Sequence, residues 1–439
     1  MNTLFYNGKL LSFGGEDPYE IIDDAEVAVL GSNIAFAGKK TDTGYDDSLR
    51  GIDFDRKIDL KGKLIMPGFK NCHTHSGMTF LRSAADDLKL DEWLNKQIFP
   101  REALLTEEDI YYATILAVME YLSGGTTEIC DMYLTPDSID RAVLDTGIRC
   151  VQCGCMNNFS QSPEKLRDWY DRLNKGSDLS FFRIGIHAEY TCSEELLKIT
   201  SDIVHELKAP LYLHMSETEP EVQGCRERHG GLSPVEYLDS LKLFDYGGVF
   251  FHGVHVSDND IEIIKKRNIA VITNPASNLK LSSGIAPIDR YLKEGILLGI
   301  GTDGPASNNC LDMFREMFLT SALAKLREND AAKVDASEVL RIACSDGAKA
   351  IGTPECDSLK AGKKADIVVL DLSCPNMQPE NNIVKNIVYS GSKQNVYLTM
   401  VDGVIRYEDG EYNIGFKKED IYKEVKKTVD RINREISFA

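Results

Sequence analysis

The chain has 439 residues, 43% of them hydrophobic and 27% charged, with 50 Lys+Arg against 69 Asp+Glu and a formal net charge of −19. Such a composition can bury a sizeable core and suits one large domain plus a smaller one. The acidic balance, with no long basic run to offset it, argues against nucleic-acid and anionic-membrane partners. No apolar run reaches the length of about 18 residues that a transmembrane helix needs.

The N-terminus shows no basic region followed by an apolar one, so no secretory leader is expected. It reads Leu4-Phe5-Tyr6-Asn7-Gly8-Lys9-Leu10-Leu11, two short strands around an Asn-Gly turn. Short strands and tight turns continue through residues 1–63. The 11 Cys are an odd set scattered through apolar segments. They fit buried thiols in a reducing cytoplasm better than a disulfide framework.

Residues 64–358 alternate between strands and helices. A strand ends at His73. Thr106 and Asp109 make a capping box for a helix over 105–122, and Gly124-Gly125 stops it. Strands follow at 126–133, 149–156, 182–188, 210–215, 249–256, 270–274 and 297–302. A long loop is expected from 215 to about 233, and Ser257 with Asp260 caps a helix over 261–267. Repeated strand–helix units imply parallel pairing. Eight of them imply an α/β fold with a closed (β/α)8 (TIM) barrel and a site at the C-terminal strand ends. Residues 359–414 return to β structure, with hairpin turns at Asp402-Gly403 and Asp409-Gly410. The two ends together would build a small β-sandwich domain. Residues 415–439 hold a charged helical pattern over 417–436, suited to a solvated surface or to a contact in a homo-oligomer.

The strand ends gather unusual residues. His73 and His75 lie two apart in an extended segment, so both rings face one point, the geometry of a divalent metal site. Chance predicts about 0.1 such pairs in a chain with this few histidines. Other strands end in His187, in His214 with Glu217 beyond it, in His252 and His255, and in Asp303. Six of the 8 histidines therefore share one end of the predicted strands. Three imidazoles and a carboxylate suit a first shell for Zn²⁺ with one position open to water, and Glu217 is placed as a proton shuttle. His252 could orient or deprotonate the water, whereas His255 reads as structural. Cys150, Cys153 and Cys155 lack a second cysteine pair at metal-binding spacing and read as buried thiols. His187-Ala188-Glu189 lacks the Pro-Cys-x-x-Cys of cytidine-type deaminases, which excludes that family.

These residues carry a resemblance over essentially the whole chain. Met66-Pro67-Gly68-Phe69 through His73-Thr74-His75, Met78-Thr79-Phe80-Leu81-Arg82, Asp87-Leu88, Glu92-Trp93-Leu94, His214-Met215-Ser216-Glu217, Asn274-Pro275-Ala276-Ser277-Asn278-Leu279-Lys280-Leu281, Gly301-Thr302-Asp303-Gly304 and Ser307-Asn308-Asn309 are similar to the amidohydrolase superfamily. Within it, the chain resembles the aminohydrolase branch of triazine hydrolases and S-adenosylhomocysteine/5′-methylthioadenosine deaminases.

The resemblance implies metal ligands at His73, His75, His214 and Asp303. It implies a proton-shuttling Glu217, a catalytic His252 and Asp303, and substrate contacts from Glu217, His187 and the ribose-binding position Glu102. Binuclear relatives end the fourth strand in a modified Lys. His187 stands there, which implies one divalent ion, Zn²⁺ first, with Fe²⁺ or Mn²⁺ also suited. The implied reaction is hydrolytic deamination of the adenine ring of a small-molecule substrate. Candidates are 5′-methylthioadenosine, 5′-deoxyadenosine, adenosine or S-adenosylhomocysteine. Relatives that accept the homocysteine tail carry Arg at and after the third strand, whereas residues 150–160 here contain none. That departure favours a smaller 5′-modified adenosine. Two alternatives share the pattern. One is an aminohydrolase or chlorohydrolase of guanine, cytosine, a pterin or a triazine. The other is a non-catalytic assembly protein on the same scaffold, which should have lost ligands.

Overall fold

The computed structural model describes residues 1–13, 18–45, 49–84, 86–88 and 92–438. The N-terminal strands are β1 (Asn2–Ser12), β2 (Glu20–Leu30), β3 (Asn33–Gly38), β4 (Arg56–Asp59) and β5 (Lys63–Pro67). Asn7-Gly8 is not a hairpin turn. One strand runs through it, with Asn7 at φ 62° and a register shift against β2 between Phe5 and Gly8. The dipeptide tolerates positive φ in either setting, and here it is spent on a bulge.

Eight strands follow: β6 (Phe69–Thr74), β7 (Thr126–Met132), β8 (Arg149–Cys153), β9 (Ser180–Arg183), β10 (Leu211–Met215), β11 (Gly248–His252), β12 (Ile269–Thr273) and β13 (Leu298–Ile300). They form two four-stranded parallel sheets, β6-β7-β8-β9 and β10-β11-β12-β13. Hydrogen bonds run between the sheets at both margins. Tyr212 N donates to Ile184 O at 3.0 Å on one side, and Asp303 N donates to His73 O at 2.9 Å on the other. Buried residues fill every position of β7, β8, β10, β11 and β12, as expected of parallel strands covered on both faces.

The helix over Glu107–Ser123 keeps its Thr106/Asp109 capping box. The segment expected as a long loop contains a helix over Glu219–Arg228, capped by Thr218 and Glu221 with Pro in its first turn. A second helix follows over Pro234–Ser240. Thr-x-x-Glu was a start signal in plain view, but the low apolar content downstream hid it.

The last strands, β14 (Ile367–Asp371), β15 (Val396–Val401), β16 (Val404–Glu408) and β17 (Glu411–Tyr412), join β1–β5 in one nine-stranded sheet. Both chain ends thus share a sheet through the antiparallel pairing of β14 with β5. The turn at Asp402-Gly403 has φ 51° and 77°, the signs that a two-residue hairpin demands. The C-terminal helix, Lys418–Phe438, is not wholly solvated. Ile421, Val425 and Ile432 are buried in the cluster that includes Ile110 and Tyr111, and Thr428 Oγ1 donates to Asp109 Oδ1 at 2.6 Å.

One fully buried ion pair ties the nine-stranded sheet to the parallel strands. Arg149, at the start of β8, donates through Nε to Asp366 Oδ2 at 2.7 Å and through Nη2 to Asp366 Oδ1 at 3.0 Å. Burial opposes the charge on Asp366, but Arg149 holds the carboxyl down to about 2. Arg149→Ala should destabilise the protein by about 3–5 kcal/mol, because it leaves buried Asp366 without its two close hydrogen bonds and with Lys70 Nζ, 4.0 Å away, as its remaining cation. Arg167→Ala, which breaks the exposed pair with Glu206, should cost under about 1 kcal/mol. Urea midpoints of the two variants check the contrast.

Candidate active site

The C-terminal ends of the parallel strands bring His73, His75, His214 and Asp303 together, with one ligand atom of each within 4.8 Å of the others. Asp303 Oδ1 lies 3.4 Å from His73 Nε2 and 3.1 Å from His75 Nε2. The other nitrogens of two rings are already committed. His214 Nδ1 lies 2.8 Å from the carbonyl of His187, and His75 Nδ1 bonds to the carbonyl of Met132. Each of these Nδ1 atoms must carry its proton, so the Nε2 lone pairs turn inward. His73 is fully buried, stacked on Phe251 at 3.8 Å, and neither of its ring nitrogens has a hydrogen-bond partner among the described residues. Buried polar atoms left without a partner are costly, and a cation is the partner this donor set fits.

The electrostatics point the same way. Burial drives His73 down to about 3. It also pulls on His75, but Asp303 overcomes that and raises His75 to about 9. Three imidazoles gathered on one buried carboxylate are a donor set that a cation can satisfy.

Close approach of the chain makes this possible. A Cβ on Gly301 would lie 2.7 Å from the backbone nitrogen of His73, so β13 can run beside β6 only with glycine there. His252 and Asp303 turn out of their strands at φ 75° and 58°, a conformation that costs energy for non-glycine residues and recurs at functional sites.

The remaining expected residues surround this cluster. Glu217 Oε2 lies 3.8 Å from His252 Nε2. His187 sits with its ring centroid 4.9 Å from that of His214, outside the ligand group, and burial lowers it to about 4. It is therefore neutral, with Nδ1 3.2 Å from Thr191 Oγ1. Glu102 accepts a 2.7 Å hydrogen bond from Tyr133 OH. Burial pushes its carboxyl up to about 7 against that bond. His255 is structural, with Nε2 2.6 Å from the carbonyl of Ser283.

The three clustered cysteines behave as packing thiols. Cys150 and Cys153 are buried on β8, burial raises both thiols, and none of the 11 cysteines is paired. Two other groups have ligand-like make-up, Glu189/Cys225/His229 and Glu128/Cys356/Asp366. Their acids already face cations of the chain: Glu189 pairs with Arg228, and Asp366 with Arg149.

Several polar side chains at the site carried no assignment from the sequence. Tyr133 holds Glu102. Ser277 and Ser307 both donate to Asp303 Oδ2, at 2.5 and 2.7 Å. Asn278 meets His252, and Ser283 donates to Glu217 Oε1 at 3.1 Å. All but Tyr133 and Ser283 lie in stretches that carried the resemblance, and that was their signal.

Comparison with known proteins agrees with this geometry. Residues 64–406 match the amidohydrolase family. A 5-methylthioadenosine/S-adenosylhomocysteine deaminase of Thermoanaerobacter pseudethanolicus is 37% identical, over 99% of this chain and 100% of its own. A 5′-deoxyadenosine deaminase of Methanobrevibacter smithii is 38% identical over 89% of this chain and 90% of its own. Among solved structures, an adenosine deaminase from Xanthomonas campestris with bound zinc superposes with a TM-score of 0.91 at 29% identity, over 98% of each chain. Matches that span the chain and take in every candidate ligand lead to one conclusion: the chain belongs to the amidohydrolase family.

Proposed function

We propose that this protein is a metal-dependent hydrolase that deaminates the adenine ring of a 5′-modified adenosine, releasing ammonia and a hypoxanthine nucleoside. The observation that carries the reading is the convergence of His73, His75, His214 and Asp303 on one point, with Glu217 and His252 beside it. The full-length likeness to deaminases of 5-methylthioadenosine, S-adenosylhomocysteine and 5′-deoxyadenosine supplies the substrate class.

His73, His75, His214 and Asp303 would hold one divalent ion, Zn²⁺ in the first instance. Neutral His187, excluded from the ligand group, supports a single ion. Bound there, such an ion would lower the pKa of a water molecule so that hydroxide is available near neutral pH. The chain does the rest. Glu217, held at one oxygen by Ser283, gives a proton to the ring nitrogen beside the carbon that bears the amino group. That carbon becomes electrophilic and hydroxide adds to it. The Glu217 carboxylate then takes the proton of the added hydroxyl and passes it to the leaving nitrogen, and regains its own from the proton that His252 and Asp303 removed from water. His252 and Asp303 take the proton of the attacking water. His187 and Glu102 orient the sugar. Tyr133 occupies one oxygen of Glu102, which leaves the other for a hydroxyl.

Glu102→Gln should therefore raise KM for adenosine-type substrates about 10- to 100-fold while kcat is kept, the worth of one hydrogen bond to a charged acceptor. Steady-state kinetics of the variant on two nucleosides and on free adenine check it. Adenine, which has no sugar, should be indifferent to the change.

The reading extends to the scaffold. The two parallel sheets are taken as halves of one (β/α)8 barrel over residues 64–358, supported by the hydrogen bonds at both margins. The nine-stranded sheet, from residues 1–63 and 359–414, is taken as a β-sandwich, supported by its own core of Phe5, Val27, Ile65, Val369 and Leu398. Residues 415–439 form a terminal helix. Among the described residues no helix is long and apolar enough to cross a membrane, and eleven unpaired cysteines suit a reducing cytoplasm.

The tail of the substrate would lie near the segment beyond β8. That segment is uncharged from Cys150 to Ser160, and Arg167, further on, is paired with Glu206. Ammonia release from a panel of purines, pyrimidines and nucleosides tests the whole reading. 5′-Methylthioadenosine and 5′-deoxyadenosine should be turned over with kcat/KM about tenfold or more above S-adenosylhomocysteine, whose charged tail finds no partner. Preference for guanine, cytosine or a triazine would replace the adenosine assignment.

A further inference from the structure

One short segment touches all three groups given acid–base roles. It runs from the helix Pro275–Lys280 to Ser283, just after β12. Ser277 Oγ donates to Asp303 Oδ2 at 2.5 Å, Asn278 Oδ1 lies 2.7 Å from His252 Nδ1, and Ser283 Oγ donates to Glu217 Oε1 at 3.1 Å. The segment is itself fixed. Fully buried Glu316 accepts from the backbone nitrogen of Ala276 at 3.1 Å and from Asn308 Nδ2 at 2.7 Å. Asn308 Nδ2 also donates to Thr302 O at 2.6 Å, beside Asp303.

Within this frame, Asn278 has an unusual position. It is 1% exposed, as is His252. Its Nδ2 finds no acceptor among the described residues, so a donor group is left unsatisfied in the interior while its oxygen faces one imidazole nitrogen. That arrangement costs stability and gains an oriented carbonyl.

We propose that Asn278 is a positioning residue that sets the tautomer of His252. A carboxamide oxygen can only accept, so the proton of the neutral ring is held on Nδ1. Nε2 is then unprotonated and faces the reacting centre, 3.8 Å from Glu217 Oε2. In the other tautomer Nε2 carries a proton and cannot take one from the attacking water. The proposal rests on the deaminase reading for the use made of Nε2, but the tautomer itself needs no substrate.

The test uses the full chain with isotope-labelled histidine and two variants. Asn278→Leu has similar bulk and no acceptor, and Asn278→Asp keeps an acceptor oxygen. NMR correlation of the imidazole nitrogens, with His252→Gln for assignment, reads the tautomer in zinc-loaded and metal-free protein. Wild type should carry the proton on Nδ1 of His252 in both forms. Asn278→Leu should move it to Nε2 and lower kcat about 100-fold, with KM and metal content kept. Asn278→Asp should restore the Nδ1–H form and most of kcat. A wild-type spectrum with the proton on Nε2 overturns the proposal, and so does a Leu variant that keeps tautomer and rate. An Asp variant as impaired as the Leu variant overturns it too. If the Leu variant does not fold, the wild-type spectrum decides alone. If no adenosine compound is turned over, the deaminase reading falls while the spectra still decide the tautomer.

Discussion

Glu217→Gln lowers kcat by about 10²- to 10⁴-fold and leaves the metal content at one ion per chain, the range typical of losing a positioned acid–base group. The substitution keeps the shape and the hydrogen bond from Ser283 Oγ, since the amide oxygen can accept where Oε1 did. What would be lost, on the proposed reading, is the ability to give a proton to the ring and then to carry one from the added oxygen to the departing nitrogen. Glu217 lies beyond β10, outside the ligand group, so the ion should stay in place. Metal analysis alongside single-turnover rates checks both halves. A variant that loses the ion together with the rate would move Glu217 into the metal shell.

The second large effect is expected of His73→Ala. The ring is fully buried on Phe251, and both its nitrogens lack a hydrogen-bond partner among the described residues. On the proposed reading, removal takes away a ligand and opens a cavity bordered by His75, His214 and Asp303. Metal content should fall well below one ion per chain and deamination to the background rate. Chelation of the wild type should give the same loss of activity, reversed by added Zn²⁺, Fe²⁺ or Mn²⁺, whereas the variant should not recover. A ligand present at a hundredfold over its Kd stabilises the folded state by about 2.7 kcal/mol. The chelated wild type should therefore melt at a lower temperature than the loaded protein. Melting curves with and without chelator read this directly.

The site was legible in the sequence to the extent that local order fixes it. His73, in β6, and His75, just beyond its end, are two residues apart in extended chain, and that spacing alone implies convergence. His214, His252 and Asp303 were found because each ends or follows an apolar run, and parallel strands align such ends. The supporting side chains could not be read this way. Ser277 acts on a carboxylate 26 residues away and Ser283 on one 66 residues away, contacts that only the tertiary packing of the strands creates. Tyr133 and Glu102 meet for the same reason, across 31 residues. Of the secondary structure, segments with clear start and stop signals, such as Glu107–Ser123 between its Thr106/Asp109 capping box and Gly124-Gly125, were plain. The helix over Glu219–Arg228 was not, because only Val222 and Cys225 of its residues are buried, too few to print a period on the sequence. Asn7-Gly8 shows the converse limit: a dipeptide reports that the chain needs positive φ, not whether it turns or bulges.

The central claim is that water replaces the amino group of an adenine ring while the nucleoside stays whole. Incubation of the zinc-loaded protein with 5′-methylthioadenosine in heavy-oxygen water, followed by mass spectrometry, tests it most directly. The account predicts one ammonia released per product and one solvent oxygen on the ring carbon that carried the nitrogen. Free adenine, or substrate recovered unchanged, would contradict it.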